Sequence, residues 1–231
     1  MKIKECKEIT GGLSNPSKMP QKAFNLPASR CKVGARLKLL FGSACFGCYA
    51  DKGRYRFNNV KAAMERRWEA LNHTDWVAAM VHLIRKQSPD LFRWHDSGDL
   101  RDVAHLRQIV DVCELTPNTK HWLPTREYNT LRKYLIEYGN FPSNLNVRVS
   151  IHMVDDFRIP KIPNVTFSAI HDKEKPPTSA HICPAAKQGP RVVSKSGKER
   201  IEPRCHGAEF GGVDCNACWQ AETQLVSYPI H

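Results

Sequence analysis

The chain has 231 residues, 41% of them hydrophobic, which suffices for one medium domain with a real core, or such a domain with a small appendage. Its 35 Lys and Arg outnumber 23 Asp and Glu, and the resulting net charge of +12 favours a polyanionic partner such as nucleic acid or a phosphorylated substrate. No run of about eighteen apolar residues exists, which excludes a membrane-spanning helix. The opening Met1-Lys2-Ile3-Lys4-Glu5-Cys6-Lys7 lacks the apolar stretch of a secretory signal. A cytoplasmic chain is expected, and in a reducing cytoplasm the 9 cysteines read as metal ligands with Cys6 and Cys113 as spare thiols.

Taken in order, residues 1–30 are punctuated by Gly11-Gly12, Asn15-Pro16, Met19-Pro20 and Leu26-Pro27, with one short strand expected at 22–26. A short helical turn over 34–40 then leads into Cys45-Phe46-Gly47-Cys48-Tyr49-Ala50. Two cysteines two residues apart turn both sulfurs inward on one tight loop, which suits a tetrahedral zinc site or a corner of an iron–sulfur cluster. Cys31 supplies a third thiolate. Three thiolates leave one iron of a [4Fe–4S] cubane open to a small ligand, whereas a fourth protein ligand closes the site as a structural one.

Asn58 or Asn59 reads as the N-cap of a helix to about residue 71, with Val60, Ala63, Met64, Arg67, Trp68 and Leu71 on one face. A second helix after Thr74-Asp75 carries Trp76, Val77, Met80, Leu83 and Ile84 inward, and the two are expected to pack as a pair. From residue 91 the pattern becomes strand, turn, helix. Strands are expected at 91–95, 120–124, 146–151 and 164–170, and helices at 101–115 and 129–138. This alternation predicts an α/β fold with a parallel sheet and helices outside, open or closed into a barrel. The site then lies where the carboxyl ends of the strands meet.

Composition changes at residue 172. Residues 173–177 and 187–204 are charged, bear Pro and Gly, and cannot build a core of their own. The division is therefore 1–171, the α/β unit with the first cysteine group, and 172–231, an extension stapled by metal. Cys183, Cys205, Cys215 and Cys218 are its expected ligands, for zinc or a [4Fe–4S] cluster, with His206 able to replace one of them.

The turns carry the remaining candidates. In Ser97-Gly98-Asp99, glycine admits a ligand to the backbone, the following helix N-terminus suits a carboxylate or phosphate, and Asp99 accepts from an amine or caps the helix. Asp96 is a candidate proton acceptor. Arg126 and Glu127 suit a ligand carboxylate and a ribose or amine, or pair with each other. Arg148 and Ser150 share a strand face, and an Arg148 buried in a sheet needs an anionic partner. Tyr49 packs over an adenine or joins the core. No HxxxH or HxH pair, Walker loop or nucleophile elbow occurs.

A cysteine group ending in CxxCYA, a strand with a Gly-and-acid turn and repeated βα units together resemble the radical S-adenosylmethionine superfamily. That resemblance implies a partial (β/α) barrel and a [4Fe–4S] cluster on Cys31, Cys45 and Cys48. It also implies Ser97, Gly98 and Asp99 at the amino group of S-adenosylmethionine, and Arg126 or Arg148 at its carboxylate. The superfamily's usual spacing would place a cysteine at position 41, where Phe41 stands, and its usual turn has Gly and Glu where Ser97 and Asp99 stand. More closely, the run from Ser17-Lys18-Met19-Pro20 to Lys52-Gly53-Arg54-Tyr55 is similar to the phage "gene product 88" family. So are Phe92-Arg93-Trp94-His95-Asp96-Ser97-Gly98-Asp99-Leu100, Trp122-Leu123-Pro124-Thr125-Arg126-Glu127 and Cys215-Asn216-Ala217-Cys218-Trp219. The resemblance implies a phage or mobile-element origin and expression in a host cytoplasm. Two functions are expected: a radical enzyme that cleaves S-adenosylmethionine reductively, or a non-enzymatic metalloprotein that binds nucleic acid or a host protein.

Overall fold

The computed structural model of the protein describes all residues except 17, 18, 20, 173–175, 188–190, 195, 202–204, 206–214 and 231. His206 and parts of the two charged stretches fall outside the described residues. The chain opens with α1 (Ile3–Thr10), whose Glu5 carboxylate accepts from the Lys2 N–H (3.2 Å) and which ends at Gly11. Next come β1 (Ala23–Phe24), α2 (Lys32–Leu37), α3 (Asn58–Ala70) and α4 (Trp76–Gln87). The middle of the chain alternates β2 (Leu91–Trp94), α5 (Val103–Glu114), β3 (Lys120–Thr125), α6 (Tyr128–Tyr138), β4 (Leu145–Val154) and β5 (Thr166–His171). The last part carries β6 (His181–Ile182), β7 (Arg191–Val193), β8 (Glu199–Ile201) and β9 (Leu225–Pro229). Among the described residues no helix is long and apolar enough to cross a membrane.

Seven strands form one sheet in the order β1-β2-β3-β4-β5-β9-β6, every neighbour parallel, and β7 pairs with β8 alone as an antiparallel ladder. The parallel α/β class follows from the alternation of the sequence. The sheet stays open, since β1 and β6 are its two edges. The segment that composition sets apart nevertheless adds two strands to this sheet, with β9 inserted between β5 and β6.

Alternation along each strand gives the sheet two unlike faces. Phe92, Trp94, Leu123, Val147, Val149, Ile151, Phe167 and Ala169 point into the main core with Trp76, Met80 and Ile84 of α4, Leu106, Ile109 and Val110 of α5, and Leu131 and Tyr134 of α6. The other face carries Arg93, Trp122, Asn146, Arg148, Ser150, Thr166 and Ser168. The segment 217–220 covers part of it, with Trp219 edge-on to Trp122 at 5.1 Å. Helices therefore line one face and the cysteine-bearing tail the other.

The N-terminal half differs from expectation in several respects: α3 is preceded by Phe57 and has no side-chain cap, and α3 and α4 do not pack as a direct pair. Helix α1, for which the turn formers left no place, packs along α4 and also touches α3. Cys6, fully buried, sits with Ala79 and Leu83 of α4 in a separate small cluster. The apolar face of α4 is wider than the expected one, because Ala79 and Val81 are also buried. Helix α5 starts two residues later than expected, where Asp102 accepts from the His105 N–H at 2.8 Å as its N-cap.

Candidate active site

In a parallel sheet all carboxyl ends share one edge, and here the CxxC loop is tied to that edge. Ala44 N–H donates to the His152 carbonyl (2.8 Å) and Val154 N–H to the Gly42 carbonyl (2.9 Å), so residues 42–44 lie against the end of β4. Cys31 is the residue before α2, whose first turn is held by Glu127: the Val33 N–H donates to its carboxylate at 2.9 Å. Glu127, 5% exposed, thereby positions Cys31 from the end of β3. Gly34 packs between the thiols. A Cβ there would lie 3.7 Å from Cys31 Sγ and 3.8 Å from Cys45 Sγ.

Cys45 is buried, and Cys31 and Cys48 are half-buried. Burial pushes Cys31 up to about 12, with Asp99, Cys45 and Cys48 adding to the effect. Burial also raises Cys45, against which the Arg126 charge acts. Arg126 is half-buried, its Nε has no partner, and none of the ion pairs among the described residues includes it. It is a free cation beside the cysteines. Among the described residues no three His, Cys, Asp or Glu side chains are drawn together as around a metal ion.

The turn after β2 is docked rather than open. Gly98 (φ +78°) lies against Leu26, whose Cβ and carbonyl O would stand 2.6 Å from an added Cβ. Ser97 Oγ donates to the Leu26 carbonyl (3.1 Å), and the Leu26 N–H donates to the Ser97 carbonyl (3.0 Å). The close approach that glycine permits is thus to β1's trailing segment. Asp99 accepts from the Leu100 N–H (2.8 Å) and Thr125 Oγ1 (2.6 Å) on one oxygen and from the Arg126 N–H (2.9 Å) on the other. Burial outweighs these bonds and raises its carboxyl to about 6.

Asp96 is a hub. Its carboxylate accepts from Tyr55 Oη (2.6 Å), Arg93 Nη1 (3.1 Å) and Asn25 Nδ2 (3.4 Å), while its carbonyl accepts from the Tyr49 hydroxyl. Tyr49 is 55% exposed, so its ring faces outward over an anchored hydroxyl. Arg148 and Ser150 do share a face. Arg148, however, is fully buried, with both amino groups on carbonyls of β5 and of residues 217–223. Ser150 accepts from Ser168 Oγ at 3.1 Å. Tyr55 and Arg93 were missed by sequence reasoning. Arg93 was legible in principle, since it alternates with Phe92 and Trp94 and so stands on the face opposite the core.

The second cysteine group, Cys183, Cys205, Cys215 and Cys218, borders one small cavity of about 10 Å³. Cys6 and Cys113, the spare thiols, are fully buried in the cores.

No curated protein and no solved structure matches the chain. A family model described as Gene product 88 matches residues 2–221, which takes in both cysteine groups and every strand but β9. On that match over nearly its whole length, the chain belongs to the phage gene product 88 family.

Proposed function

We propose that the protein is an iron–sulfur enzyme of radical S-adenosylmethionine type, on an incomplete (β/α) barrel. The observation that carries this reading is the placement of Cys31 and Cys45 against Gly34, with Cys48 on the same loop, beside the carboxyl edge of a parallel sheet and with the Arg126 charge acting on Cys45. The in-order run β1 to β5 is the strand order of a (β/α) barrel, which supports the architecture. Cys31, Cys45 and Cys48 are the residues that would hold a [4Fe–4S] cluster, and Gly34 lets α2 approach Cys31, whose Cβ would stand 3.0 Å from an added Cβ. The bound cluster and S-adenosylmethionine supply the one-electron chemistry, reductive cleavage of the cofactor and hydrogen abstraction from a substrate.

The chain's own residues then bind and orient. Arg126 takes the carboxylate of the cofactor, because both amino groups of Arg148 are already bound to buried carbonyls. Asp99 has acceptor capacity left on the oxygen that receives only the Arg126 N–H, which suits an amine. Ser97 and Gly98 fix Asp99 through Leu26, and Glu127 fixes Cys31 through Val33. The exposed Tyr49 ring offers a face for the adenine. Asp96, ordered by Tyr55 and Arg93, is the carboxylate available as proton acceptor. Anaerobic equilibrium dialysis with labelled S-adenosylmethionine tests this: the protein retains the cofactor, and Arg126→Met weakens binding by roughly tenfold or more, the worth of a charged hydrogen bond. Retention undiminished in a Cys45→Ser, Cys48→Ser variant would sink the reading.

One observation favours nucleic acid as the partner, either as the enzyme's substrate or as the ligand of a non-enzymatic metalloprotein. The segment around the cysteine loop exposes Phe41 (82%), Phe46 and Phe57 beside Lys32, Arg36, Lys52, Arg54 and Arg56. Its acidic residue Asp51 is already paired with Lys38 at 2.7 Å. Exposed rings among unpaired cations suit stacking on bases and contact with phosphates. Salt-sensitive binding of a single-stranded oligonucleotide that Phe41→Ala weakens is the expected result, and binding indifferent to both salt and Phe41 contradicts it.

A further inference from the structure

The face of the sheet under the C-terminal cysteines holds a charge that no carboxylate among the described residues balances. Arg148 is fully buried; its Nη1 donates to the Phe167 (2.8 Å) and Thr223 (3.0 Å) carbonyls and its Nη2 to the Ala217 (2.9 Å) and Gln220 (3.2 Å) carbonyls. Its Nε has no partner. Carbonyl dipoles satisfy N–H groups, but they do not cancel a unit charge, and a buried guanidinium without a counter-charge is strongly unfavourable. None of the ion pairs among the described residues includes Arg148. A second guanidinium lies nearby: Arg93 stacks over Trp122 at 4.4 Å and is balanced by Asp96 at 3.1 Å. Arg148 has no such partner among the described residues.

The groups above Arg148 are sulfurs. Ala217, which accepts from its Nη2, precedes Cys218, and the Cys218 carbonyl is held by Asn146 Nδ2 at 2.9 Å, two residues along β4. Cys183, Cys205, Cys215 and Cys218 line a cavity of about 10 Å³, and its other lining includes Pro184, Ala185 and Val226. That is the volume of a single small sphere, yet the apolar walls give a water too few partners. Two polar groups are aimed at the sulfurs instead. The Tyr228 hydroxyl stands 3.0 Å from Cys218 Sγ, and His181 Nε2 stands 3.3 Å from Cys215 Sγ. Either partner of each contact can donate while the sulfur is a thiol, and once it is a thiolate the hydroxyl and the imidazole N–H donate to it as outer-shell groups. The thiols surround the cavity without converging on one point, so ligand closure is part of binding.

We propose that Cys183, Cys205, Cys215 and Cys218 bind a metal centre as thiolates, zinc or an iron–sulfur cluster, and that its net negative charge is the counter-charge of the buried Arg148. Four thiolates around a zinc ion or around an oxidised [4Fe–4S] core leave about two negative charges in either case. The centre pins residues 217–220 to the sheet face, where the Trp219 indole N–H donates to the Phe92 carbonyl at 3.0 Å. Binding here is independent of any cofactor at Cys31, Cys45 and Cys48.

The test uses the full chain with Cys31, Cys45 and Cys48 changed to Ser, purified anaerobically, so that metal at the other site does not register. The expected content per chain is about one zinc, or about four irons with matching sulfide, abolished by a further Cys215→Ser. Peptide-resolved alkylation of the unmutated protein gives the same answer without the triple variant, with the four C-terminal thiols protected until denaturant and chelator are added together. Absence of stoichiometric metal, or four thiols freely alkylated in the folded protein, overturns the proposal. The counter-charge is read from Arg148→Met against Arg148→Lys, which differ in charge at similar length. Loss of metal to a chelator is expected to be about tenfold faster in Arg148→Met, the range seen when an outer-shell group is removed. Equal rates would make Arg148 a purely structural clamp and refute the charge assignment.

Discussion

Gly98→Ala isolates the docking of the β2 turn on the segment after β1. The added methyl carbon would stand 2.6 Å from both Leu26 Cβ and Leu26 O, and 2.7 Å from its carbonyl carbon. Two of these three atoms are backbone, so no side-chain rotation relieves the clash. Sliding the turn outward strains the Leu26 N–H to Ser97 carbonyl bond (3.0 Å) and the Ser97 Oγ to Leu26 carbonyl bond (3.1 Å). The left-handed backbone at φ +78° costs alanine about 1 kcal/mol. Overpacking adds about 1–3 kcal/mol, and each weakened hydrogen bond about 1 kcal/mol. The expected loss is about 4–6 kcal/mol. Gly53→Ala is the control, because Gly53 shares the positive φ (+53°) but has nothing within 4 Å of the new carbon; about 1 kcal/mol is expected there. Urea unfolding of both variants, followed by far-UV circular dichroism, measures the difference. Losses within about 1 kcal/mol of each other would refute the close approach and the docked turn built on it.

Asp102→Ala should cost about 1 kcal/mol in the same assay through loss of the α5 cap, and no loss would mean the cap bond at 2.8 Å is not made. Glu127→Ala removes the acceptor of the Val33 N–H and should cost about 1.5–3 kcal/mol. It should also lower metal retention at Cys31, and unchanged metal content would show that Glu127 does not position that thiol. Acid should destabilise the fold. His105 and His121, fully buried, are lowered to about 3 by desolvation, so they bind fewer protons folded than unfolded and their stabilisation, complete above the ordinary histidine value, is lost as pH falls below about 6.5. Asp99, raised to about 6, acts in the opposite sense and offsets part of this loss. A net loss on the order of 2 kcal/mol between pH 7 and pH 5 is expected from denaturation curves. Rising stability over that interval would contradict the burial of the two imidazoles.

Much of the scaffold was legible because alternation and helical period report burial directly. The four expected strands appear as β2, β3, β4 and β5, and Arg148 and Ser150 fall on one face as their two-residue spacing requires. Helix α1 was not legible, since its burial rests on Cys6 and Thr10 alone and its partner α4 lies some seventy residues on. Strand β9 was hidden for a similar reason. Leu225–Pro229 is short, and its place between β5 and β6 depends on pairings that no local pattern announces. At the site, spacing suggested the cysteine groups; in the structure Cys31 and Cys45 both border Gly34 and the four C-terminal cysteines line one cavity beside β9, without either set converging as around a metal ion. What spacing could not supply was the use of the polar turns. Gly98 and Ser97 meet Leu26, Glu127 meets Val33, and Arg148 meets carbonyls of the tail, all contacts between segments distant in sequence.

The central claim is an open-iron cluster on Cys31, Cys45 and Cys48 that binds S-adenosylmethionine. Its most direct test is electron paramagnetic resonance of the anaerobically purified, reduced protein, recorded with and without S-adenosylmethionine and accompanied by iron and sulfide analysis. A cluster signal that shifts on adding the cofactor, and that Cys45→Ser abolishes, is the predicted result. A signal indifferent to S-adenosylmethionine, or zinc without iron, contradicts the account.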